Sequence, residues 1–174
     1  MSEATLARGP APFALSRGAL ARLIALILPL GLLGGALGSQ YLGGLVPCEM
    51  CYWQRWPHAA AIILAGLAFT APAGSDRSRT LTLLAAAAIA VSGAVGVYHA
   101  GVELGIFEGF TTCTSTAGGG TTADLLNSIM NTPLVRCDQV QFSFLGVSMA
   151  GWNALLSLGG GAVIAWLSLK GRRA

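Results

Sequence analysis

Two cysteines stand two residues apart in the run Pro47-Cys48-Glu49-Met50-Cys51-Tyr52-Trp53-Gln54-Arg55-Trp56-Pro57-His58, and an arginine follows the second of them four residues later. Thiols in a C-x-x-C array close a small ring, and strained or low-pKa disulfides have the more oxidising potentials, so such a pair suits a working redox couple. A fixed positive charge on Arg55 favours thiolate over thiol at Cys51, and the thiolate is the attacking form. If a helix has begun by Cys51, the side chains of Cys51 and Arg55 are i,i+4 neighbours about 6 Å apart at Cβ. The orphan N–H groups of such a helix start favour the anion as well. Pro57 fits best in a first turn, which predicts that regular helix starts only near Trp56. Glu49 opposes a second negative charge. Taken alone, the pair reads equally well as a structural bridge or as half of a zinc site.

Two further cysteines, Cys113 and Cys137, lie 23 residues apart with no histidine between them. A zinc ribbon needs two C-x-x-C knuckles about 15 to 20 residues apart, so the spacing argues against zinc, and no metal is expected. His99 and Glu103 share one face of a predicted helix. An interfacial polar cap is the plainer reading for them and for His58, and a proton-handling role is the alternative. Tyr52, Trp53 and Trp56 read as an aromatic belt, with a ring lining a cofactor slot beside Cys51 as the alternative.

The elements that must hold these residues follow from composition. Of 174 residues, 10% are charged and 54% are hydrophobic. A soluble domain carries about a quarter charged residues. Crossing a hydrocarbon layer of about 30 Å takes about 20 helical residues. Four charge-free intervals reach that length: Leu23 to Pro47, Trp56 to Gly74, Thr80 to Val102 and Gln139 to Leu169. The expectation is an all-α membrane protein, a four-helix transmembrane bundle forming one integral domain over residues 1–174. Its helices are placed at about 22–40, 56–72, 80–100 and 146–169, with outer loops at about 41–55 and 101–145.

Arg8, Arg17, Arg22, Arg77, Arg79, Lys170, Arg172 and Arg173 fall at one set of helix ends, and only Arg55 and Arg136 fall at the other. The positive-inside rule then puts both termini in the cytoplasm and all four cysteines outside, in the bacterial periplasm, where disulfides persist. The net charge of +3 reflects this topology and gives no reason to invoke nucleic acid. Ala36-Leu37-Gly38 loosely matches a signal-peptide cleavage site, but the apolar run is longer than an h-region. Small residues recur at intervals of four, at Gly31 and Gly35, at Gly34 and Gly38, and at Ala88, Ser92, Gly96 and Ala100. They read as packing seams between helices in lipid. Within the second outer loop, Asp124 to Asn131 reads as a short helix lying in the membrane interface. The Gly-rich stretch around Cys113 presents that thiol on a flexible strand of chain. Phe142, Phe144, Trp152 and Trp166 read as membrane anchors.

With these features assembled, the chain resembles the disulfide bond formation protein B (DsbB) family. The likeness rests on four helices, P-C-x-x-C-x-x-Q-R from Pro47 to Arg55, Phe110-Thr111-Thr112-Cys113, and Cys137 followed by Phe144-Leu145-Gly146 and Trp152. It implies a quinone-dependent thiol oxidase of the inner membrane. A reduced DsbA-like periplasmic thioredoxin-fold oxidase attacks a Cys113–Cys137 disulfide at Cys113. Cys137 then exchanges with the Cys48–Cys51 pair by way of Cys48, and Cys51, as thiolate beside Arg55, passes electrons to ubiquinone or menaquinone. The resemblance also implies that Arg55 supports the quinone; His99 is the further candidate for binding it. A strong acceptor is needed because an ordinary structural disulfide sits below about −300 mV against about −120 mV for DsbA, a gap of roughly 8 kcal/mol for two electrons. The competing expectation is a scaffold or small transporter whose cysteines staple two outer loops without turnover. A vitamin K-type epoxide reductase is disfavoured, since its cysteine pair is expected on a later helix.

Overall fold

Serines set the starts of two helices. Ser16 and Ser75 each accept a hydrogen bond from the backbone N–H three residues on, which satisfies one of the orphan donors of a helix start. In the computed structural model, which describes residues 15–109 and 135–170, the chain forms α1 (Arg17–Tyr41), α2 (Glu49–Ala68), α3 (Asp76–Glu103), a two-stranded hairpin of β1 (Ser143–Phe144) and β2 (Val147–Ser148), and α4 (Met149–Lys170). The expected short helix at Asp124 to Asn131, the presentation of Cys113, and the N-terminal tail lie outside the described residues.

The architecture is an all-α membrane bundle. α3 packs against α2 and α4, and α1 closes the other side against the same two helices. The packing core is built largely of alanine, with Ala21, Ala25, Ala61, Ala65, Ala85 and Ala86 meeting Ile89, Ile164 and Leu167. Small side chains let helix backbones approach closely, which is what holds helices together where lipid supplies no hydrophobic drive. α1, α3 and α4 are long and apolar enough to cross a membrane. Glu49, Gln54, Arg55 and His58 occupy the first half of α2, so that helix depends on its neighbours to cover polar groups that lipid would not tolerate.

Several boundaries differ from those the sequence suggests. α2 starts at Glu49 rather than near Trp56, because Cys48 serves as its N-cap: the Cys48 sulfur accepts from the Cys51 N–H at 3.3 Å, and Glu49 supplies the acidic first turn. Pro57 consequently sits inside the helix and removes one ladder hydrogen bond without ending it. α2 ends at Ala68, four residues early. α1 and α3 begin sooner than expected, at Arg17 and Asp76, since arginine is a good helix former and the serine caps, not the edge of the apolar run, decide where the ladder starts. α4 begins at Met149 because residues 143–148 form the hairpin, turned by Leu145 at φ 52° and Gly146 at φ 77°. Two positive φ values in a two-residue loop match the twist of the strands, and glycine adopts one without a Cβ penalty.

The small-residue seams divide. On α3, a Cβ at Gly96 would lie 3.0 Å from the Ala150 carbonyl oxygen and 3.0 Å from the Ala154 nitrogen, so this face is a seam against α4. On α1, a Cβ at Gly31, Gly34, Gly35 or Gly38 would meet nothing within 4 Å. The α1 glycines are therefore not a seam; Gly31 and Gly35 open a space.

Candidate active site

The two ends of the bundle differ in chemistry. At one end Arg22 Nη1 donates to the Ala71 carbonyl at 3.0 Å, and its guanidinium lies 4.6 Å from the Phe69 ring centroid, which ties the start of α1 to the connection between α2 and α3. At the other end Cys48, Met50, Val102 and Cys137 form one buried cluster, with Cys51 packed against it. Cys48, Cys51, Cys137, Arg55 and His99 all come to this end. Cys113 is outside the described residues.

Among the described residues, Cys48, Cys51 and Cys137 form no disulfide with one another. The sulfurs of Cys48 and Cys51 are 2.9 Å apart. The hydrogen bond to Cys51, followed by burial, pushes the Cys48 thiol well above its ordinary range. Cys48 is therefore the proton donor of the pair. Cys51, in the first turn of α2, faces the orphan N–H groups and positive dipole that favour an anion.

Arg55 is anchored to α1. Its Nη1 donates to Gln40 Oε1, its Nη2 donates to the Ala36 carbonyl at 3.1 Å, and its Nε is buried with no partner. The guanidinium lies 5.1 Å from the Tyr52 ring centroid. Tyr52, Trp53 and Trp56 are exposed on the outside of the bundle, as an aromatic belt requires. The ring packed against the cysteine cluster is Tyr98, while Trp152 lines the cavity below and donates from Nε1 to the Phe144 carbonyl at 3.0 Å, pinning the hairpin.

His99, only 3% exposed, stands between the cysteines and the bundle core. Its Nε2 is 3.6 Å from Cys48 Sγ and 3.8 Å from Glu103 Oε1, and the ring also bonds the main chain of Cys137. Its Nδ1 is 2.7 Å from Gln54 Nε2. Gln54 Oε1 accepts from Asn153 Nδ2 at 2.8 Å, and Asn153 Oδ1 accepts from His58 Nε2 at 2.9 Å and from Ser157 Oγ at 2.9 Å. Ser92 Oγ closes the network, 2.9 Å from His58 Nε2 and donating to the Gln54 carbonyl at 2.8 Å. His58 and His99 are thus interior hydrogen-bonding groups rather than interfacial caps. The sequence reading places Ser92 in a packing seam and Gln54 in the P-C-x-x-C-x-x-Q-R motif without a role of its own, and it does not single out Asn153 or Ser157. The available signal was a carboxamide within the last apolar run, because polar side chains inside a membrane are costly and tend to be functional.

A cavity of about 610 Å³ opens beside Cys51, walled by Gly31 and Gly35 of α1, Arg55 and His58 of α2, and Trp152 of α4. It lies within the size range of small-molecule sites. An apolar wall with a guanidinium, two imidazoles and a thiol at one end suits a flat, lipid-soluble ring bearing polar oxygens. The α1 glycines keep free the room that any Cβ would occupy. The ligand-type atoms of Cys48, Cys51 and His99 also lie within 4.8 Å of one another, the residue set of a soft-metal site.

Residues 18–167 match the family model described as disulfide bond formation protein DsbB. The chain is 32% identical to the disulfide bond formation protein B of Hahella chejuensis (strain KCTC 2396), over 79% of this chain and 86% of the relative. It is also 24% identical to the uncharacterized protein RP370 of Rickettsia prowazekii (strain Madrid E), over 69% of this chain and 70% of that protein. No solved structure matches significantly.

Proposed function

The chain belongs to the DsbB family of disulfide bond formation proteins, and on that premise we propose that it reoxidises a DsbA-like periplasmic dithiol oxidase and passes the two electrons to ubiquinone or menaquinone in the inner membrane. The observation that carries this reading is the burial of Cys137 against Cys48, while Cys51 of the same pair opens on the cavity beside Arg55. In this reading Cys48 would receive electrons from the second outer loop and Cys51 would give them up.

Each exchange step conserves its electrons. The partner's thiolate attacks a Cys113–Cys137 disulfide at Cys113; a mixed disulfide forms and Cys137 leaves as thiolate. Cys137 then attacks Cys48 within the Cys48–Cys51 bond, the Cys48–Cys137 bond forms, and Cys51 leaves as thiolate. That leaving charge is formed at a helix start, four residues from the fixed guanidinium of Arg55. The partner's second thiol then displaces Cys113, Cys113 attacks Cys137 and Cys48 leaves, which restores the Cys113–Cys137 bond; bound quinone would take two electrons and two protons from the remaining Cys48–Cys51 dithiol, so that the net change is partner dithiol plus quinone to partner disulfide plus quinol. Arg55, held by Gln40 and Ala36, would hold one of the quinone's oxygens, with His99 in the cavity wall. Trp152 and the α1 glycines would bound its ring.

The test is turnover of purified protein with reduced DsbA-like partner and defined quinones under anaerobic conditions. Cys51→Ser is expected to abolish quinone reduction with helical content unchanged. Normal turnover by that variant would overturn the proposal.

A further inference from the structure

Hydrogen-bond directions beneath Cys48 are forced by two backbone carbonyls. A carbonyl oxygen only accepts, so the side-chain atom 3.2 Å from the Met50 oxygen must be the Gln54 NH2 group, and the atom 3.1 Å from the Ser92 oxygen must be the Asn153 NH2 group. The Asn153 amide then donates its other hydrogen to Gln54 Oε1, which fixes Gln54 a second time. The remaining Gln54 hydrogen points at His99 Nδ1, so Nδ1 is the acceptor and the ring proton of neutral His99 resides on Nε2. That N–H faces Cys48 Sγ at 3.6 Å and Glu103 Oε1 at 3.8 Å, with the Cys137 main chain beside the ring. A protonated Nε2 cannot ligate a metal, so the trio of Cys48, Cys51 and His99 is arranged for hydrogen bonding.

We propose that Gln54 and Asn153 are positioning residues that lock His99 in its Nε2-protonated tautomer, so that one fixed N–H seats Cys137 against Cys48 for sulfur exchange. The proposal rests on the exchange reading above and adds what holds the two sulfurs together. Three elements cooperate: α4 orients the amide of α2, α2 orients the imidazole of α3, and α3 holds the loop that brings Cys137. Gln54 and His99 are 7% and 3% exposed, so their hydrogen bond is made in a low-dielectric interior where losing the donor is costly.

The test uses full-length protein carrying Cys51→Ser and Cys113→Ser, which leaves Cys48 and Cys137. One equivalent of 4,4′-dithiodipyridine oxidises the two thiols to a disulfide and is itself reduced to two thiopyridones, the second released as the Cys48–Cys137 bond closes. Histidine ¹⁵N shifts of the reduced protein report the tautomer independently of any turnover, with the His99 signals assigned by their loss in His99→Gln. The expected result is Nε2–H in this background. Gln54→Glu, which can only accept, moves the proton to Nδ1 and slows closure about tenfold. His99→Gln keeps a donor near the Nε2 position and closes within about threefold of the background, whereas His99→Leu is about tenfold slower. The His99 pair carries the test if Gln54→Glu does not fold. An Nδ1–H tautomer in the background, a tautomer change without a rate change, or equal rates for His99→Gln and His99→Leu would each overturn the proposal. Failure of the background protein to close the bond at all, with the Nε2–H tautomer present, would overturn the exchange reading beneath it.

Discussion

Cys48 and Cys51 share a helix turn but not an environment. Both line the cavity, but Cys48 is 4% exposed and has its thiol pushed up by the bond to Cys51 and by burial, while Cys51 is partly open. A thiol whose pKa is raised has a smaller thiolate fraction at every pH, and alkylation follows thiolate. In the reduced protein, iodoacetamide is therefore expected to modify Cys51 first and to reach Cys48 only at more alkaline pH, as read by peptide mass spectrometry across a pH series. Equal rates for the two would contradict the assignment of donor and acceptor. Arg55 presents a fork to two α1 acceptors that a lysine ammonium cannot span. Arg55→Lys is expected to raise the KM for quinone about tenfold with little change in helical content, the size of one lost charge-assisted hydrogen bond. The C-x-x-C pair with its arginine was legible in the sequence because it is local. The Gln54 and Asn153 amides were not, since nothing along the chain says that residues 99 positions apart meet.

At the scale of elements, helix ends were set by caps that apolar counting does not register. The sequence pointed to Pro57 as a first-turn residue, yet Cys48 starts the ladder two turns earlier and the proline is carried inside. Small residues recur every four positions on α1 and on α3 and have opposite uses. Gly96→Val is expected to lower stability by about 1 to 3 kcal/mol, because its side chain would press on the α4 backbone at Ala150 and Ala154. Thermal unfolding in detergent checks this. Gly31→Leu meets open space, so it is expected to leave the unfolding midpoint nearly unchanged while weakening quinone binding by filling the cavity. A parallel loss of stability in both variants would mean that α1 packs as α3 does.

For the whole molecule, the bundle puts the start of α1 and the α2 to α3 connection at one end and the described thiols at the other. Under the proposed function the first end, where the basic residues gather, faces the cytoplasm. Single cysteines introduced at Ser75 and at Gly43, in a background with the four natural cysteines replaced, are expected to be labelled by a membrane-impermeant maleimide only after cell disruption and in intact spheroplasts, respectively. The reverse pattern would place the exchange chemistry in a reducing compartment and remove its purpose.

By itself the sequence determined the class of the protein and the closeness of Cys48 to Cys51. Long uncharged runs have few ways to satisfy their backbone other than as membrane helices, and a C-x-x-C pair is close in space whatever surrounds it. Only the tertiary structure decided which small-residue face packs and which opens a cavity, that Cys137 lies against Cys48, and that α4 orients α2 and α2 orients His99. Those are contacts between distant segments. They depend on how the helices rotate about their axes when alanine faces close, and no local pattern of residues encodes that rotation.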